Sequence, residues 1–204
     1  MVLVRTESTI FSKIERTGSV VVALLILYRT FLNTQLDILL LSGITLMAVF
    51  YLWSGFFLFT NALPLDIVEK GKRAVFTPFR ITVSIGMGFV YSVSLISILY
   101  AYFFYPQMQL MLSFSFLLIF ISTCLVVLYH YFNKDEYVFV KQFYKRSAIL
   151  GLFIFFIIVI PLEKRLNILY HKHPGFIEAY IEYHQNPDAP EAIDKLRSER
   201  SKFR

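Results

Sequence analysis

Cysteine is nearly missing from this chain, and carboxylates are missing from its long apolar runs. The single cysteine, Cys124, has no second thiol to pair with, so an intramolecular disulfide framework is excluded. It sits within an apolar run and reads as a small buried packing residue. A proton- or cation-coupled transporter usually needs an intramembrane Asp or Glu, and the runs offer none. HExxH, Gly-rich phosphate-loop and GxSxG patterns are also missing, so no catalytic or cofactor-binding residue is named and an enzyme rests on nothing positive. The first residues mix Arg5, Glu7, Lys13, Glu15 and Arg16 before any apolar stretch begins, which is not the shape of a secretory signal.

What the chain does have is apolar surface. Of 204 residues, 57% are hydrophobic, 18% are aromatic and only 17% are charged. The mean hydropathy is +0.62. A soluble domain of this size has too little interior to hide so much, because small folds leave much of their surface in water. Lipid is the natural solvent for the remainder.

Crossing ~30 Å of hydrocarbon takes ~20 helical residues at ~1.5 Å each. Runs 38–59, 81–105 and 108–129 meet that length without a charge. Two shorter runs flank them. Run 19–32 is interrupted by Arg29, and run 148–162 is bounded by Lys145 and Arg146 before it and Glu163, Lys164 and Arg165 after it. Both read as spans if the flanking basic side chains snorkel, since neither has the polar face of an interfacial helix. The expected fold is therefore an all-α five-helix transmembrane bundle with spans at about 18–33, 37–60, 81–105, 108–131 and 147–162. Residues 1–162 form its transmembrane domain and 163–204 a polar, helical C-terminal tail. A four-span arrangement, with the last run failing to cross, is the alternative.

Basic residues cluster in alternate connections. Lys70, Lys72, Arg73 and Arg80 fall in 61–80, and Lys134, Lys141, Lys145 and Arg146 in 133–147, whereas links 33–37 and 106–109 carry no Lys or Arg. The positive-inside rule then places the N-terminus in the cytoplasm and the tail across a membrane taken to be the bacterial inner membrane. The basic residues after position 162 pull the other way. The NTQ and YPQ links are short enough to make tight helical hairpins of the first two spans and of the third and fourth.

Few polar groups are candidates for function. Arg29 is either an inward ligand or ion contact or, preferred, a snorkelling anchor. Tyr129, His130 and Tyr131 close the fourth span as interfacial anchors. Ser84, Gly88 and Ser92 recur every four residues and form a small-xxx-small helix-packing face; Gly86 and Gly88 would permit a helix break, but close packing is the preferred reading. Ser113 and Ser122 are expected to hydrogen-bond across helices.

In the tail, Pro174 opens a helix over about 175–185, and Asp188 with Glu191 has capping-box spacing before a second over about 189–203. His171, His173 and His184 with Glu178 have metal-ligand residue types without a compact ligand spacing, so no metal is assigned. The net charge of +6 is dispersed between apolar runs, which fits orientation in a membrane rather than nucleic acid. The reading is a non-enzymatic membrane subunit that contacts lipid, packs with itself or with other membrane proteins, and presents its tail to a partner. A small transporter or channel subunit is the alternative.

Overall fold

The computed structural model describes residues 10–31, 37–60, 78–132 and 137–202, and all the secondary structure among them is helical. Five long helices come first: α1 (Ile10–Phe31), α2 (Asp37–Thr60), α3 (Pro78–Tyr102), α4 (Met108–Phe132) and α5 (Tyr137–Val159). Three short ones follow: α6 (Leu162–Tyr170), α7 (Pro174–Gln185) and α8 (Pro190–Ser201). In hydrocarbon every backbone N–H and C=O must be satisfied within the segment, which is why apolar runs of this length become unbroken helices.

Among the described residues, four helices are long and apolar enough to cross a membrane: α2, α3, α4 and the Phe139–Val159 part of α5. The chain has the architecture of an α-helical membrane protein. The helix outside that count is α1, not the last run as in the four-span alternative, because Lys13, Glu15, Arg16 and Arg29 interrupt it. The last span is also longer than expected. Its helix starts at Tyr137, taking in Lys141, Lys145 and Arg146 on its first turns, and ends at Val159 before Pro161, which has no amide proton to continue it. The basic stretch 61–77 lies outside the described residues.

From α1 to α5 each helix packs against the next, and α3 sits centrally against α2, α4 and α5. The tightest approach is between α2 and α3. A β-carbon built on Gly88 would stand 2.6 Å from the Tyr51 carbonyl oxygen and 3.1 Å from Gly55 Cα, so the two backbones touch. Gly86 faces away with nothing within 4 Å, and α3 runs through both glycines unbroken. Around this contact Tyr51, Phe59, Tyr91 and Phe143 form a buried aromatic cluster, with Phe59 and Phe143 ring centroids 4.6 Å apart. Across α3 and α4 the bridging hydroxyls are Ser94 and Ser115, at 3.1 Å. Ser113 is exposed and Ser122 half-buried, so the expected serine pair on α4 is replaced by the residue between them. Cys124 is exposed rather than buried, on a face of α4 free to meet lipid.

The turn from α3 to α4 has no glycine, yet Phe104 and Gln107 adopt φ of 50° and 62°. Such values cost an L-residue about 1–2 kcal/mol each and persist only where surroundings hold them. For Phe104 the surroundings are those of α6–α8. Phe104 is 1% exposed and packs edge-on to Tyr170 and Tyr180, within a second core that includes Met108, Leu166 and Phe176. The polar tail is thus a cap seated on one end of the bundle. Pro174 occupies the first position of α7 and Pro190 that of α8. The N-cap of α8 is Ala189 without a side-chain cap, so the Asp188 capping box does not form.

Candidate functional site

Two charged clusters lie at opposite ends of α1, joined by an apolar crevice. Arg29, one turn from the end of α1, is 3% exposed. Its Nε donates to Asp37 Oδ1; Nη2 donates to Asp37 Oδ2 and to the Tyr170 hydroxyl, each at 3.1 Å. The guanidinium lies 4.7 Å from the Tyr102 ring centroid and 5.0 Å from that of Phe103. Arg29 therefore turns inward, against the preferred snorkelling reading, because Asp37 across the short link supplies a carboxylate at the same depth. Its partners are the chain's own residues. Beside it, the hydroxyls of Thr30 and Tyr102 are 2.9 Å apart, and Tyr102 donates to the Ile26 carbonyl. α1, α2, α3 and α6 thus meet at one arginine.

At the other end, Glu15 is buried and accepts from Tyr51 at 2.7 Å. Both its oxygens also accept from Arg146 on α5, through Nε and Nη2 at 2.5 Å, a bidentate fork. Arg146 further donates to the Gln142 carbonyl, and its guanidinium stands 5.1 Å from the Phe59 ring centroid. On α3, Tyr91 shares a 2.9 Å hydrogen bond with Ser147, the neighbour of Arg146, and donates to the Phe143 carbonyl. This cluster fastens α1 to α5 through a pair 131 residues apart in sequence.

Between the clusters α1 and α5 hardly touch, and the gap is a cavity of about 530 Å³. Glu15 and Arg146 close one end; aliphatic residues such as Val22, Ile26 and Leu150, with Phe153 and Phe156, make the walls. A second cavity of about 160 Å³ continues past Phe153 toward the cap, where Tyr102, Ile157 and Arg165 line it.

No protein-family model, no curated protein and no solved structure matches the chain.

The remaining sequence candidates separate. Ser84 and Ser92 are buried on α3 beside Gly88, and the Ser84 carbonyl stands 3.2 Å from a β-carbon built on Gly55. Gly88 and the Ser84 backbone therefore lie in the α2–α3 contact of one chain, and Ser92 is buried on the same helix. Tyr129 stacks on Phe79 at 3.5 Å between ring centroids, which ties the end of α4 to the start of α3. Tyr131 is 73% exposed, and His130 is half-buried between them. Among the described residues no group of three or more His, Cys, Asp or Glu could hold a metal ion.

The cap's ionisable groups feel their burial. Burial pushes the Tyr180 hydroxyl up to about 12 and raises that of Tyr170, with the Arg29 charge opposing the second shift. Arg165 is lowered by the same desolvation. Chemically, the paired arginines are committed to carboxylates and remain charged, so they serve as fasteners rather than as acids or bases.

Proposed function

We propose that the chain is a non-enzymatic polytopic membrane subunit, set in a bacterial inner membrane, that assembles with itself or with other membrane proteins and presents its C-terminal cap to a partner. The observation that carries this reading is the way the cap is fixed. Arg200 on α8 donates from Nη2 to the Phe103 and Phe104 carbonyls at 3.1 and 3.4 Å, and Tyr170 on α6 receives Arg29 from α1. The outward side of α8 then displays Glu191, Asp194, Arg197 and Lys202, all exposed. A polar surface held at a fixed height above the bundle loses little freedom on binding, which favours its use as a recognition face.

Five crossings accompany the proposal, α1 being the fifth. Its composition argues against spanning, yet Glu15 and Arg29 are neutralised inside the protein by Arg146 and Asp37, which removes much of their cost in lipid. An odd number of crossings puts the cap opposite a cytoplasmic N-terminus, as the alternation of basic connections requires.

Labelling of a Gln185→Cys variant in intact cells tests the topology. Reaction with a membrane-impermeant maleimide before permeabilisation is expected, and reaction only after lysis overturns five crossings. Assembly is tested by crosslinking in native membranes followed by mild-detergent purification. A discrete complex is expected, weakened when Asp194 and Arg197 are both reversed in charge; a chain that always runs as a lone monomer overturns the assignment. The transporter or channel reading draws on the crevice, whose aliphatic walls suit an acyl chain better than water or an ion.

A further inference from the structure

Among the described residues of the cap, Arg165 is a buried cation whose surroundings do not account for it. It is the fourth residue of α6, is 8% exposed, and its Nε and Nη1 are buried without a hydrogen-bond partner. No ion pair to it exists among the described residues. A buried, unpaired guanidinium is expensive, and Arg29 and Arg146 in the same bundle each have a carboxylate. Arg165 instead lines the cap-side cavity between α1, α3 and α5. Phe153 lines both that cavity and the larger crevice, so the two are adjacent along α5, and together they make up the α1–α5 groove.

The groove has the dimensions of a lipid's place in a bilayer. Along α5 it runs from Ile149 to the helix end at Val159, with Ile160 just beyond, a rise of about 15 Å at ~1.5 Å per residue, close to half of the ~30 Å hydrocarbon thickness. Its walls are aliphatic and aromatic along this length, and its single unpaired charge lies at the end where the membrane surface would be. Positive charge at the headgroup level with an apolar slot one leaflet deep beneath it is complementary to a phosphate carrying an acyl chain.

We propose that the α1–α5 groove is a phospholipid-binding site, in which Arg165 holds the lipid phosphate and one acyl chain lies along α5 toward Glu15 and Arg146. The proposal is independent of whether the cap has a protein partner. Bidentate geometry suits a guanidinium to a phosphate, and the lowered basicity of an unpaired Arg165 would be reversed by that anion.

The test uses the full chain purified in mild detergent after reconstitution with phosphatidylglycerol vesicles, with retained phospholipid per chain measured by native mass spectrometry. The unaltered chain is expected to keep one lipid through washing. Arg165→Gln should lower retention about fivefold by removing the charge. Ala23→Phe, which places a ring in the groove from α1 without touching the cap, should do the same. Lys164→Gln, at the exposed neighbour, should leave retention unchanged. If Arg165→Gln fails to fold, the Ala23 variant still decides the matter. Equal retention in the unaltered chain and both groove variants, or equal loss in the Lys164 control, overturns the proposal. So does stabilisation by inorganic phosphate alone that equals stabilisation by a short-chain phosphatidylglycerol, since the groove would then contribute nothing.

Discussion

Replacing Gly88 by alanine adds one methyl group where two backbones already meet. The new carbon would lie 2.6 Å from the Tyr51 carbonyl oxygen and 3.1 Å from Gly55 Cα, several tenths of an ångström inside ordinary contact. Neither neighbour is the movable end of a side chain, so α2 and α3 must separate. Overpacking of this kind costs about 1–3 kcal/mol. Separation also loosens the edge-on contact of Tyr51 with Tyr91, now 5.6 Å between centroids, which places the cost toward the upper end. Opposing it is the helix preference of alanine over glycine, worth up to ~1 kcal/mol. The net expectation is a loss of about 1–2 kcal/mol for Gly88→Ala. Gly86→Ala, two residues away with open space around it, should be neutral or stabilising by up to ~1 kcal/mol. Unfolding in mixed micelles, titrated with a denaturing detergent, measures both. The reasoning is refuted if the two variants are indistinguishable, or if Gly88→Ala is the more stable.

Three further predictions rest on the polar contacts. Glu15→Gln removes one partner of a mostly buried pair and leaves the Arg146 charge uncompensated, at a cost of about 3 kcal/mol; adding Arg146→Met should recover part of that loss, and strict additivity in the same unfolding assay would count against a direct pair. Arg200→Ala should free the cap at the α3–α4 turn and speed proteolysis of 162–202 in detergent, with protection equal to the unaltered chain as the contrary result. The Tyr180 hydroxyl ionises near 12 in the folded protein against ~10 in an unfolded chain. A raised folded value means its contribution to docking is complete below about pH 10 and lost as pH rises through 12. Difference absorbance of tyrosinate against Tyr180→Phe should show no titration at pH 10, and a normal titration there would show that the ring is not buried.

Much of the scaffold was legible because length and hydropathy leave little choice in lipid. Runs 38–59, 81–105 and 108–129 correspond to α2, α3 and α4; α1 packs against α2 and α3 against α4, while the NTQ link lies outside the described residues. Boundaries suffered where polar residues are helical: Lys141, Lys145 and Arg146 read as a loop, yet they occupy the first turns of α5. α6 is hard to read from sequence, since LEKRLNILY has charge at its start and only about two and a half turns of pattern after a proline. The Arg29–Asp37 pair left a trace in sequence, opposite charges eight residues apart across a hairpin link. Glu15 and Arg146 left none, being distant in sequence and brought together only by how α1 leans on the bundle. Cys124 was misplaced because an apolar run does not reveal which of its faces meets lipid.

The reach of Tyr170 to Arg29 also sets an order in time. The two residues lie 141 positions apart, so at 5–20 residues per second the second is made roughly 7–30 s after the first. The ion pair with Asp37 closes early, and the hairpin α1–α2 must hold a half-satisfied arginine through the synthesis of everything between. The strained turn at Phe104 waits in the same way for α6–α8. The cap is therefore a late latch, and a chain ending before Leu162 should reach the membrane with its turn around 103–105 still open to protease.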